Sequence, residues 1–441
     1  ELTTGGAASR MQILPRICAL PLAPSQPLLP GLACPSDQLL TNGATVVSLS
    51  LPDSPLVCLD FWCRAGSVFE SAGESGMAHF LEHMVFKGSE RLGPGEFDLR
   101  IEAMGGNSNA ATGFDDVHYH VLTPPEVAGD ALELLLDLVL HPRLDAAAFD
   151  MERQVVLEEL AQSEDQPDEV ALQQLLRLGC PNHAYGEPIL GKRELLLEQT
   201  PAAMAAFHGR LYGANRCVLA LSGGIKQELL ADRIAASALA FLPVVEEPQS
   251  RPALVVQPGE HRIEVPRLES ARLLMLWGLP PAAELHGVMG ADLLTTVLAE
   301  GRRSRFVERL REQLRIVESI DLDLHVMESG SFALLEAICE TDELASVRQA
   351  IDAVWSQLLQ EGLAETEWQR AQRLVANGYR FGLEAAGGVA GLIGNNRLWG
   401  RHHMLQLPLE EIDRWSAAEL LQQALPLLDP SRACVLEAVP A

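Results

Sequence analysis

Residues 79–83 read His-Phe-Leu-Glu-His, and no other stretch of this sequence is better equipped for chemistry. Residues four apart lie on one face of a helix, so the imidazoles of His79 and His83 can reach one ion, with the Glu82 carboxylate projecting beside them. Such nitrogen donors suit zinc, which in a catalytic site takes three protein ligands and keeps one position for water. A third donor must come from elsewhere. Glu152 and Glu159 are two helical turns apart in Glu-Arg-Gln-Val-Val-Leu-Glu-Glu and therefore share a face. Glu159 would complete a His/His/Glu set, while Glu152 would hydrogen-bond a ligating imidazole from behind. Each part has an ordinary explanation by itself: histidines share helical faces without metals, and glutamates on helices are usually solvated. Their combination points to one zinc ion per chain, with the Glu82 carboxylate close beside it.

These side chains need two helices held rigidly together, and the surrounding pattern supplies them. A helix is expected from Ser75 to the Lys87-Gly88 stop, and others over 94–104, 126–140 and 146–163. Strands are expected at Ala44–Leu51, Val57–Cys63, 114–123 and Ala214–Ser222, from β-branched content and alternation. Composition shifts at 244–260, where Val-Val-Glu-Glu-Pro-Gln-Ser-Arg-Pro reads as a linker. Beyond it the pattern repeats: strands at Ala271–Gly278 and Ser331–Cys339, helices at 287–299 and 342–361, and the stretch Ala364–Val375 repeating the shape of Ala146–Val156. The expected fold class is therefore α+β: two related domains, each a sheet covered by helices, at 37–243 and 261–441. In the second, Ala371 and Gly378 stand where the first has Glu152 and Glu159, so it has no metal site of its own.

The 441 residues exceed one ordinary core, in keeping with two domains of about 200 residues each. Apolar residues make up 48%, ample for both. With 60 acidic residues against 33 basic ones, the net charge of −27 repels nucleic acid and anionic lipid, disfavouring both as partners. Eight cysteines without a CxxC pair, most within apolar runs, suit a reducing compartment, and a cytoplasmic location is expected. No apolar run approaches the roughly 20 residues of a membrane span. Residues 1–36, with prolines at 15, 21, 24, 27 and 30, are expected to form an extended tail.

The stretch Gly76-Met-Ala-His-Phe-Leu-Glu-His-Met-Val-Phe-Lys-Gly resembles the inverted-zinc-motif peptidases of the pitrilysin, insulysin and mitochondrial processing peptidase family (peptidase family M16). The spacing from His83 to Glu159 matches, as do Ala65–Glu70, Gly105–Thr112 and Tyr185–Gly191. The resemblance implies a zinc-dependent endopeptidase acting on short or unfolded peptides in a chamber between clam-like halves. It implies Glu82 as the general base toward zinc-bound water, and Asn109, Ala110, Ala111 and Thr112 as an edge strand to which an extended peptide adds. The family also uses an Arg and a Tyr seven apart; here Arg311 is present, but the seventh position on is Glu318, which cannot act as a phenol donor. That departure implies a split site: a heterodimer with a paralogue carrying the Arg/Tyr pair, or alternatively a homodimer supplying Arg311. The competing reading is a non-catalytic assembly subunit, disfavoured because all three ligands and the base remain.

Overall fold

The computed structural model describes residues 34–402 and 405–441. The expected tail lies outside the described residues up to position 33, and Ser36 already opens a strand. The first sheet is built from β1 (Ser36–Leu39), β2 (Thr45–Ser50), β3 (Val57–Cys63), β4 (Asn107–Thr112), β5 (Val117–Thr123) and β6 (Cys217–Gly223). Their order is β1-β2-β6-β3-β5-β4. The second contains β7 (Gly259–Val265), β8 (Ala271–Leu279), β9 (Ser319–His325), β10 (Ser331–Cys339) and β11 (Cys434–Pro440), in the order β7-β11-β8-β10-β9. In each, one parallel pair (β2–β6, β7–β11) is followed by antiparallel pairings out to an edge strand (β4, β9). The duplication suggested by the sequence is thus a repeat of topology.

Strand patterning follows burial. β3, central and covered on both faces, is buried at every position, as its nearly unbroken apolar run requires. β5 alternates, with Val117, Tyr119 and Val121 fully buried and His118, His120 and Leu122 half-buried. One face of the first sheet carries α1 (Met77–Val85), α3 (Ala128–Leu140) and α4 (Ala146–Asp165), sharing one core with Phe61, Phe80, Phe149 and Phe207. α2 (Glu96–Ala103) packs beside β4 and α3. Asp145 caps α4 by accepting the Ala148 N–H, and Pro167 starts α5 (Pro167–Gly179) without losing a helical hydrogen bond.

The opposite faces of the sheets are covered by an exchange. α5, from the first half, packs on the second sheet through Ala171, Leu175 and Leu176 against Leu274, Leu276 and Leu436. The Ala386–Leu398 helix, from the second half, packs on the first sheet against Val47, Trp62, Val218 and Ala220. Gly394 permits that approach: a Cβ there would stand 2.5 Å from the Trp62 indole. A polar clasp joins the halves as well. Asp115 accepts from the Tyr185 hydroxyl (2.9 Å) and the Glu328 N–H (3.0 Å), while the Ser329 N–H donates to the Tyr185 hydroxyl (3.0 Å).

That clasp explains one difference from expectation. The strand expected over 114–123 starts at Val117, because residues 113–116 turn to place Asp115 and Asp116 between the halves. The expected helix start at Ser75 moves to Met77, since Glu70 accepts the Gly76 and Ala78 N–H groups and fixes the first turn there. β7 begins at Gly259, inside the stretch expected to link the domains. The rest of that stretch is tied down by Arg251, stacked 3.4 Å from the Phe69 ring centroid, and by backbone bonds from Leu254 and Gln257.

Candidate metal centre

α1 and α4 cross with the predicted donors facing one another. His79 Nε2 lies 3.7 Å and His83 Nε2 3.4 Å from the Glu159 carboxylate, and one donor atom from each residue falls within 4.8 Å of the others. Metal–ligand lengths of about 2.0–2.2 Å in a tetrahedral site place donors about 3.4 Å apart, so this set fits zinc with small side-chain adjustments. The sequence puts His79 and His83 four apart on α1, and their rings meet edge to face at 4.7 Å. Glu159 is the most exposed of the three, leaving the outer side of the set open.

The supporting shell is built with equal care. His83 Nδ1 hydrogen-bonds the buried Glu152 carboxylate at 2.9 Å, which leaves Nε2 as the metal-facing nitrogen. Lys87 Nζ holds the other Glu152 oxygen at 2.7 Å. Burial, followed by the neighbouring His83, pushes the His79 imidazole down to about 4, keeping it neutral with a lone pair available. Burial raises the Glu82 carboxyl above its ordinary range, with a hydrogen bond from the Thr112 hydroxyl acting the other way. A carboxylate so placed is a better proton acceptor than one in water.

The structure locates every predicted site residue but separates their roles. β4 is the edge of the first sheet. Its Asn109 and Ala111 are exposed, Ala110 packs on the core, and Thr112 turns inward to Glu82. Arg311 lies in the second half on a helical turn at Val307–Leu314, where it pairs with Glu312 at 2.9 Å. Three supports carried no role in the sequence reading, although each sits in a stretch singled out there. Glu70 caps the start of α1. Lys87 fixes Glu152. Gly191 lies against Gly76, where a Cβ would stand 2.5 Å from the Gly76 Cα, so the Tyr185–Gly191 loop closes on the beginning of the histidine helix.

A helix-borne pair of histidines joined by a glutamate from a second helix, with a further carboxylate beside them, is a donor set of the kind that zinc-dependent hydrolases use. Residues 45–193 match the family described as Insulinase (Peptidase family M16), and residues 199–375 match the Peptidase M16 inactive domain. The chain belongs to peptidase family M16. It is similar to an uncharacterized zinc protease of Mycobacterium leprae (26% identical over 404 residues, 88% of each chain). Another relative is a zinc protease of Bacillus subtilis (24% over 383 residues, 84% of this chain and 90% of that one). Among solved structures it resembles a protease from Helicobacter pylori (TM-score 0.86, 21% identical, covering 93% of this chain and 100% of that one). A peptidase M16 inactive domain from Pseudomonas fluorescens is also similar (TM-score 0.82, 18% identical, 92% and 98% covered). These structures share the fold of two helix-covered sheets. No helix among the described residues is long and apolar enough to cross a membrane.

Proposed function

We propose that this chain is a zinc-dependent endopeptidase subunit cleaving short or unfolded peptides, with His79, His83 and Glu159 as ligands and Glu82 as general base. The observation that carries this reading is the convergence of the three donors on one point, with Glu82 tied by Thr112 to the edge strand of the same sheet. When bound, the ion polarises the scissile carbonyl and makes a water acidic enough to attack at neutral pH.

The chain's own residues do the remainder. The outer edge of β4, the last strand of its sheet, offers main-chain N–H and C=O groups to an extended peptide, aligning its backbone beside α1. Glu82 takes the proton from the attacking water and returns it to the leaving amine. Glu152, held by Lys87, keeps the His83 ring oriented. Turnover of a quenched peptide by the zinc-loaded chain, compared with Glu82→Gln, tests this. Glu82→Gln is expected to keep its zinc and lose about 10²–10⁴-fold in rate; comparable turnover in the variant rules out Glu82 as the base.

Full activity is proposed to need a second subunit. Glu318 stands where the family resemblance calls for a tyrosine, and a missing oxyanion donor typically costs about 10²–10³ in rate. A paralogue with Arg and Tyr but no zinc motif is the proposed partner, and a homodimer sharing Arg311 is the alternative. Adding the paralogue to this chain should raise peptide hydrolysis toward saturation at one to one. Full activity from the isolated chain, unchanged by the paralogue, would refute the split site.

A further inference from the structure

An acidic residue stands in the middle of a strand of the first sheet that is buried at every position. β3 is Val-Cys-Leu-Asp-Phe-Trp-Cys, and Asp60 at its centre is 2% exposed. A buried carboxylate is costly unless neutralised. Its neighbours are two histidines on β5: His120 is its direct cross-strand partner, and His118, two residues away, points to the same face. His118 Nδ1 lies 3.0 Å from Asp60 Oδ1, and the His118 and His120 rings stack with centroids 5.6 Å apart.

We propose that Asp60, His118 and His120 form a second metal site, for a divalent transition-metal ion, separate from the His79/His83/Glu159 set. One donor atom from each of the three lies within 4.8 Å of the others, the same bound that the first set meets. The two sets face opposite sides of the sheet. Thr112 on β4 and Tyr119 on β5 point toward α1, touching Glu82 and Phe86. His118 and His120 alternate to the other face, where Trp62 stacks on His118 at 4.1 Å and Gly391 of the Ala386–Leu398 helix brings bare backbone over Asp60.

Because the donors stand on two paired strands, their spacing is set by the sheet and not by loops. Trp62 and the Ala386–Leu398 helix close one side of the cluster. On the other side of β5, the cross-strand partners of His120 and His118 are Asn109 and Ala111, both exposed, so the cluster opens beside the outer face of the edge strand. Two imidazoles and one carboxylate select zinc, cobalt, nickel or copper over magnesium and calcium, which take oxygen donors. The ion would neutralise Asp60 and hold β3 to β5 next to the strand on which a peptide docks.

The test is metal binding by the full chain, stripped with a chelator and refilled with Zn²⁺ or Co²⁺. Ions per chain are counted for wild type, His120→Ala and His83→Ala. The expected counts are two, one and one, with Co²⁺ absorption bands at two distinguishable sites in wild type. His120→Ala carrying one equivalent of zinc should still hydrolyse peptide. Should it fail to fold, His120→Asn, which keeps a polar side chain on the half-buried face, takes its place. A His120 variant that still binds both ions, or a His83→Ala chain that binds none, overturns the proposal. One ion in wild type, kept in His83→Ala and lost in His120→Ala, would support this site and count against the catalytic one.

Discussion

In the first half of the chain, α1 and α4 meet with His79, His83, Glu152 and Glu159 at their contact. In the second, the Leu285–Ala299 and Glu365–Gly382 helices meet in the same way beneath a sheet of the same strand order, with Ala371 and Gly378 in place of the two glutamates. Its first helix has a single histidine, His286, which instead stacks on Trp415 and pairs with Glu411. Ala371 is fully buried, and a cavity of about 830 Å³ opens along Asp292, Thr296, Leu374, Gly378 and Tyr379. The same backbone thus gives a ligand set in one half and a cavity in the other. Sheet order and helix contact are common to both halves; the donor side chains at the contact are not.

The exchanged helices make a second comparison. The Ala386–Leu398 helix meets the first sheet through Gly394, whose added Cβ would strike the indole of Trp62, an aromatic wedged between strand and helix. α5 meets the second sheet through Gly179, where an added Cβ would stand 2.7 Å from the end of the Leu276 side chain. A leucine terminus can rotate aside; an indole packed in a core cannot do so cheaply. The close approach should therefore be less forgiving at the first sheet than at the second.

The largest separation between the halves should come from their carboxylates. Glu159→Gln removes a proposed ligand and should abolish tight zinc binding at the His79/His83/Glu159 set, read with the Asp60/His118/His120 cluster left intact. Glu152→Gln, acting through His83, should weaken it by about 10–100-fold. Competitive chelation on both variants measures this, and equal affinities would undo the distinction between ligand and orienting residue. A smaller effect is expected at the exchanged helices. Gly394→Ala should destabilise the chain by about 1–3 kcal/mol, read as a shift in the denaturation midpoint, and Gly179→Ala by less. The reverse order would show that the two sheet faces are not packed as described. The smallest expected effect, on zinc content, is none: Ala371→Glu with Gly378→Glu places both acids in the second half, yet should add no bound zinc, because the Leu285–Ala299 helix that meets them carries one histidine, His286, already paired with Glu411. An extra ion by metal analysis would show that the carboxylates by themselves suffice.

Much of the site was legible because its information is local. His79 and His83 depend on one helical turn, and Glu152 and Glu159 on two, so periodicity places each pair on a face before any tertiary contact is known. Core strands such as β3 and β8 were legible through their apolar runs. β9, with Ile320 and Leu322 alternating with Asp321 and Asp323, carried a period-two signal that went unread, while β1 and β7 are short or charged at the sheet margins.

What the sequence determined by itself is therefore the set of candidate donors, their faces and the two-fold repetition of strands and helices. Tertiary structure decided which faces meet. The pairing of α1 with α4, the grip of Lys87 on Glu152 and the inward turn of Thr112 join residues far apart in the chain, and no local period encodes them. The same holds for the exchange of α5 and the Ala386–Leu398 helix between sheets, and for the meeting of Asp60 with His118 and His120. A strand's alternation tells which side chains share a face, but strand order decides which strand lies beside it.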